Sequence, residues 1–182
     1  MNDIFYESPL FVINPMTNKE FCFCIERLQR NDMRALSALY EDYFQKIKFY
    51  ALSFTKDIQS AYDIAMNVMV KMVDFDGDPN QIKNHVAYLM AIAKNESLNS
   101  IKQNLRNTQI NFEICNGAQF DENTLWLNDI LDTLNEEERE VFVSHCIWGI
   151  NLRDIAKQRH KSYPTIIRIY ASTKKKIKDI YI

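Results

Sequence analysis

The chain has only 3 glycines and 4 prolines in 182 residues, and no other feature restricts its fold as strongly. Strands need frequent reversals, and reversals draw on Gly, Pro and Asn. A chain so poor in breakers, with 47% hydrophobic residues to build cores, is expected to be all-α.

Helical periodicity agrees. Residues 1–18 show no period, contain Pro9 and Pro15, and read as an irregular arm. From Glu20, Phe21, Cys24, Ile25 and Leu28 fall at i, i+3, i+4, i+7, a single apolar helix face. Asn31-Asp32 interrupts, and Asp32 is the expected N-cap of a second helix. Its face is Leu36, Leu39, Tyr40, Tyr43, Phe44, Ile47, Tyr50, Ala51 and Phe54. Asp57 caps a third helix, with Ala61, Ile64, Ala65, Val68, Met69, Met72 and Val73 inward. Residues 74–79 read as a loop. A fourth helix is expected from about Ile82 to Arg106, on Val86, Leu89, Met90, Ala93, Leu98, Ile101 and Leu105.

Periodicity fails over residues 107–123, the best linker in the chain. Beyond it, Leu125, Leu127, Ile130, Leu131 and Leu134 outline a short helix. Asn135 with Glu138 three residues on predicts a capping box, with Val141, Phe142 and Cys146 as that helix's inner face and Gly149 at its end. Asn151 caps a short helix bearing Leu152, Ile155 and Ala156. A turn at Arg159 to Lys161 leads to Ser162, the cap of a last helix carrying Ile166, Ile169, Tyr170 and Ile177. The sequence therefore predicts an arm (1–18), a helical domain (19–106), a linker (107–123) and a second helical domain (124–182), with about eight helices and no strand.

Several function classes are disfavoured. The N-terminus lacks a basic segment, and its apolar run, residues 9–13, is too short for a secretory leader. No stretch approaches a membrane span, so no membrane insertion and a reducing, cytoplasmic setting are expected. Cys22, Cys24 and Cys146 with His145 fit no common zinc spacing. The cysteines read as small buried hydrophobes, and no metal or cofactor is expected. His85, His145 and His160 are scattered, with no nucleophile elbow, phosphate loop or paired carboxylates, so no catalytic residue is assigned and no enzyme is expected.

Charge is uneven. The net charge is −2, yet from Asn151 to Lys178 the chain carries Arg153, Lys157, Arg159, Lys161, Arg168, Lys174, Lys175, Lys176 and Lys178 against the single acid Asp154. The same stretch has the short helix, tight turn and second helix of a helix-turn-helix. Ala156 is small where the two helices must approach, and Ile166 fills the gap ten residues later. Such a motif puts its second helix into a major groove, and local basic charge suits phosphates. Taken alone, Lys174–Lys176 could equally be a solvated face.

The first domain balances its charges. Asp63 and Asn67 lie beside the apolar face of the third helix, an arrangement suited to docking on a basic protein surface. The fourth helix mixes His85, Tyr88, Lys94, Asn95, Asn99, Lys102 and Arg106, the kind of mixture that binds single-stranded DNA by stacking and charge. An amphipathic helix with a polar outer face explains that mixture equally well.

In this order the elements resemble sigma factors of RNA polymerase, of the extracytoplasmic-function type in the sigma-70 family. Four stretches carry the resemblance: Asn31-Asp32 with Ala35 and Leu39-Tyr40; residues 60–64 with Val68; Tyr88 to Asn95, ending Ile92-Ala93-Lys94-Asn95; and Leu134, Arg139, Val141 and Phe142 through residues 154–156 to Thr165-Ile166 and Lys175-Lys176-Ile177. The chain departs from the family pattern at His160-Lys161, where Gly and an apolar residue are usual. It departs also at Ile167, Ile169, Asn67, Asn99 and Lys102.

The resemblance implies two domains, sigma region two and sigma region four. Asp63 and Asn67 would bind the clamp helices of the core polymerase's largest subunit, and the second domain its flap. Tyr88, Lys94, Asn95, Asn99 and Lys102 would take −10 DNA. Arg153, Lys161, Ser162, Tyr163, Thr165, Arg168, Lys174 and Lys175 would take −35 duplex. An anti-sigma factor is an implied further partner. Two other readings stay open: a divergent sigma-like protein that binds polymerase or another protein without starting transcription, and a stand-alone helix-turn-helix regulator.

Overall fold

The computed structural model describes residues 16–107 and 122–181. The arm up to residue 15, Cys115 and most of the expected linker lie outside the described residues. Among the described residues there are eight α-helices and no strand, so the fold is all-α. They fall into two compact units, residues 16–107 and 122–181.

The first unit holds α1 (Asn18–Gln29), α2 (Arg34–Thr55), α3 (Ile58–Val73) and α4 (His85–Asn107). The helix α1 starts two residues before the expected onset, because Thr17 and Glu20 form a capping box that hydropathy does not reveal. Asn31 ends it in the left-handed conformation, with φ 61°. The Asn31 N–H bonds the Leu28 carbonyl and the Asp32 N–H that of Arg27, a Schellman closure.

Asp32 is not the N-cap of α2; Met33 holds that position without a side-chain bond. The Asp32 carboxylate instead takes Arg27 at 2.7 Å and Arg34 at 2.8 Å, and the Arg34 side chain leads the causes holding its pKa below the usual carboxylate range.

The long α2 is the hub, packed on α1, α3 and α4. Every residue from Lys46 to Ser53 is buried, so its middle is enclosed all round rather than on one face. Phe21 of α1 stands edge-on to Tyr43 of α2, at 5.8 Å between centroids, and stacks on His85 of α4 at 5.2 Å. Asp57 caps α3 as expected, accepting the Ser60 N–H at 2.8 Å. Ala61, Ile64, Ala65, Val68, Met69 and Met72 are its buried face.

The fourth helix starts three residues later than expected. Asp78 caps a 3-10 turn (Pro79–Gln81), and Ile82 is buried in the loop that follows. Asn84 then caps α4 by accepting the Ala87 N–H. The buried stripe of α4 is His85, Leu89, Ala93 and Ser97. Leu98 and Leu105, expected inside, are exposed, Leu105 at 71%. They follow the helical period but lie about half a turn away from the packed side. Tyr40 of α2 is likewise exposed, stacked on Phe44 at the edge of the unit.

The second unit holds α5 (Glu122–Thr133), α6 (Glu136–Phe142), α7 (Leu152–Gln158) and α8 (Tyr163–Tyr181), with a π-helical turn (Val143–Ile147) continuing α6. Leu127, Ile130, Leu131 and Leu134 are buried, while Leu125 is exposed. Arg139 closes the end of α5, its Nε donating to the Leu131 carbonyl and its Nη2 to that of Leu134, both at 2.9 Å. The capping box at Asn135 and Glu138 forms as the sequence predicts. Gly149 ends the π turn at φ 68°, a conformation that disfavours any side chain. Cys22, Cys24 and Cys146 are buried thiols.

Candidate nucleic-acid interface

Asn151 caps α7 by accepting the Asp154 N–H at 2.9 Å, as the sequence suggests. The end of α7 is a second Schellman closure. The Lys161 N–H bonds the Ala156 carbonyl and the His160 N–H that of Lys157. This places His160 at φ 51°, where the chain must turn left-handed and glycine would be easiest. Ser162 opens α8, its Oγ accepting the Thr165 N–H at 3.3 Å and meeting the Thr165 hydroxyl at 2.7 Å.

The two helices are locked by an apolar cluster of Val141, Ile155, Ala156 and Ile166, flanked by Ile150, Leu152, Ile169 and Tyr170. Ile166 is 0% exposed and Ala156 is buried beside it. The contacts expected of a helix-turn-helix are therefore present. The inner stripe of α8 runs Ile166, Thr173, Ile177, which fixes what points away from it.

The outward stripe is Pro164, Arg168, Ala171, Lys175 and Lys178, all exposed. These positions recur at i, i+4, i+7, i+11 and i+14, a single helix side. No ion pair within the described residues involves Arg168, Lys175 or Lys178. Lys174 lies at the edge of the stripe, its Nζ 5.8 Å from the Tyr170 ring centre. Arg153, at the start of α7, sets its guanidinium 5.4 Å above the exposed Tyr163 ring. Arg153, Ala156, Lys157, His160, Lys161 and Tyr163 line a shallow depression in the motif.

Not every base in the stretch points outward uncommitted. Lys161 pairs with Glu137, Arg159 with Glu140, and Lys176 with Glu138 at 2.7 Å. All three acids sit on α6, Glu137 and Glu138 in its first turn, so this one helix takes up cations of the motif. The sequence shows both sets of charges but not that the fold joins them. Glu138 is also buried. Burial pushes its carboxyl up, but bonds from Lys176, the Asn135 N–H and Ser172 outweigh this and hold it below the usual carboxylate range. It ties the start of α6 to the middle of α8.

In the first unit, Tyr88, Asn95, Asn99 and Lys102 share one side of α4, at i, i+7, i+11 and i+14. Asn95, Asn99 and Lys102 are exposed. Tyr88 is half-buried, edge-on to Phe75 at 6.1 Å, and burial pushes its hydroxyl pKa up. Lys94 stands on a different side, its Nζ 5.9 Å from the Phe54 ring centre. The structure thus brings four of these five residues into line and leaves Lys94 apart.

Asp63 and Asn67 are exposed on the outer side of α3. Asp63 accepts a bond from Gln59 at 3.0 Å. Tyr62, Met66 and Val70 are exposed on the same helix, so the acid stands within an apolar surface that the sequence reading did not single out. Tyr62 also meets the buried Phe44 of α2 edge-on, at 5.3 Å between centroids.

Among the described residues no group of His, Cys, Asp and Glu could hold a metal ion, and no helix is long and apolar enough to cross a membrane. No protein-family model matches the chain, and no curated protein matches it.

Proposed function

We propose that the chain is a transcription initiation factor of the sigma type, which binds core RNA polymerase and directs it to promoters without catalysing a reaction itself. The observation that carries the reading is the α7–α8 pair. Its apolar contact through Ala156 and Ile166 leaves Arg168, Lys175 and Lys178 uncommitted on one outward stripe. In a motif of this kind the second helix enters the major groove with its first turns foremost, while basic side chains meet phosphates. In this reading Arg153, Ser162, Tyr163, Thr165, Arg168, Lys174 and Lys175 contact −35 duplex. Lys161 joins them only if DNA displaces Glu137.

The first unit supports the polymerase half of the proposal. The line Tyr88, Asn95, Asn99 and Lys102 on α4 offers an aromatic ring, amides and a cation to unpaired −10 bases. The outer side of α3, with Asp63 and Asn67 among Tyr62, Met66 and Val70, offers an acidic, partly apolar surface to the clamp helices. Polymerase performs the chemistry, and an anti-sigma factor is the natural means of holding such a protein inactive.

The test is co-purification with core polymerase, followed by run-off transcription on genomic fragments. Binding with promoter-dependent product is expected. Binding to core without product from any fragment would favour a sigma-like regulator that does not initiate. Duplex binding without core binding would favour a stand-alone helix-turn-helix regulator. The Asp63→Arg variant should lose core binding with its helical circular dichroism unchanged; full binding by that variant would refute the docking side assigned to α3.

A further inference from the structure

Along the edge of the basic stripe of α8, and sharing Ala171 with it, runs a line of apolar residues of which the proposed function uses only Tyr163. Tyr163, Ile167 and Ala171 are spaced i, i+4, i+8, so they lie along one side of the helix. All three are exposed, Tyr163 at 40% and Ile167 at 41%. The apolar cluster joining α7 and α8 takes Ile166, Ile169 and Tyr170 from α8, not Ile167 or Ala171, and Tyr163 meets Arg153 of α7. Core packing therefore gives no reason for a branched aliphatic side chain at 167. A straight polar chain would also suit an exposed helix position better.

The line is bordered by cations. Arg168 and Lys175 follow it on one side, and the Arg153 guanidinium lies over the Tyr163 ring at its start. A narrow apolar line edged by positive charge complements a surface that is apolar at its centre and anionic at its rims. The major groove of thymine-bearing duplex is such a surface. Thymine C5-methyl groups stand on its floor, phosphates run along both walls, and apolar side chains read those methyls. Ile167 lies in the first two turns of α8, the part that leads into the groove.

We infer that Ile167 is a specificity-determining residue that packs against the C5-methyl group of thymine in the duplex, with Tyr163 and Ala171 extending the same apolar contact. The inference rests on the proposed duplex binding and adds a base to it. The preferred site contains thymine opposite this ridge, on either strand.

The experiment begins with the full chain, alone and on core polymerase, and sequencing of the duplexes it retains from a random pool. The preferred duplex is then resynthesised with uracil for thymine, one position at a time, which removes only the methyl group. Wild type should lose about four-fold in affinity at one or two positions, the worth of one methyl group leaving water. Ile167→Ala should bind the thymine and uracil duplexes equally, and its exposed position predicts an unchanged circular dichroism spectrum. A retained pool without thymine overturns the inference. So do equal wild-type affinities for the thymine and uracil duplexes, or a methyl effect that persists in Ile167→Ala. These three results leave duplex binding standing. Failure to retain any preferred duplex, alone or on core, sinks the proposed function and this inference with it.

Discussion

Protonating His85 would place a second cation beside Lys46 inside a packed aromatic cluster. The ring is buried, stacked on Phe21, edge-on to Tyr43, and its Nδ1 lies 3.0 Å from the Asn18 side-chain oxygen. Burial first, then Lys46, hold its pKa below the ordinary 6.5, with Asp42 opposing. Lys46, with Asp42 at 3.9 Å, is itself pushed down by burial. Below pH 6.5 the unfolded chain therefore takes up the His85 proton before the folded chain does. The stability held above that pH falls as the pH drops toward the folded value. Thermal unfolding of the wild type should show a lower midpoint at about pH 5.5 than at about pH 7.5, and His85→Asn should flatten the difference. An unchanged slope in that variant would assign the proton to another group. His160 poses a different strain. It sits at φ 51°, where a side chain costs about 1–2 kcal/mol that glycine avoids. Glycine returns part of that gain through a freer unfolded chain. His160→Gly should therefore stabilise the second unit by about 0.5 kcal/mol in urea titrations.

At the scale of elements, α6 and α8 share one carboxylate. Glu138 accepts the Asn135 N–H at 3.1 Å, Ser172 at 2.9 Å and Lys176 at 2.7 Å. It therefore closes the capping box and fastens the helix that carries the basic stripe. Removing only the cap, in Asn135→Ala, should cost about 1 kcal/mol. Removing the carboxylate, in Glu138→Ala, also removes its bonds to Lys176 and Ser172 and should cost about 2 kcal/mol. Equal costs in chemical denaturation would mean that the tie to α8 contributes nothing. Because the folded carboxyl is held below 4.5, its contribution is full above that pH and is lost as the pH falls through the folded value. Much at this scale was legible beforehand. Asp57, Asn135 and Asn151 are caps because a short polar side chain before an apolar period reaches the first free N–H groups. Ile82 is helically spaced from Val86 and Leu89, yet it lies in the loop between the 3-10 turn and α4.

For the whole molecule, the net charge of −2 conceals a surface that is basic along one stripe of one helix. Duplex binding should weaken with salt in proportion to the phosphates engaged. Replacing Arg168 and Lys175 by Ala should lower the logarithmic slope by about one unit each. Glu137→Gln should raise affinity by releasing Lys161 from its internal partner. Unchanged slopes in the first two variants would show that this side of α8 does not meet phosphate.

The sequence by itself determined the helical class, most helix limits and the Ala156–Ile166 contact of the motif. Those follow from local rules: scarce breakers, period and caps act within a few residues of the chain. Only tertiary structure decided which periodic residues are buried, which cations remain uncommitted, and which polar residues of α4 share a side. Leu98 and Leu105 keep the helical period yet face outward, and Lys161 is basic yet joined to Glu137. A helix fixes the angles between its own side chains, but which side becomes the inside, and which charges meet, is set by neighbours far away in the sequence.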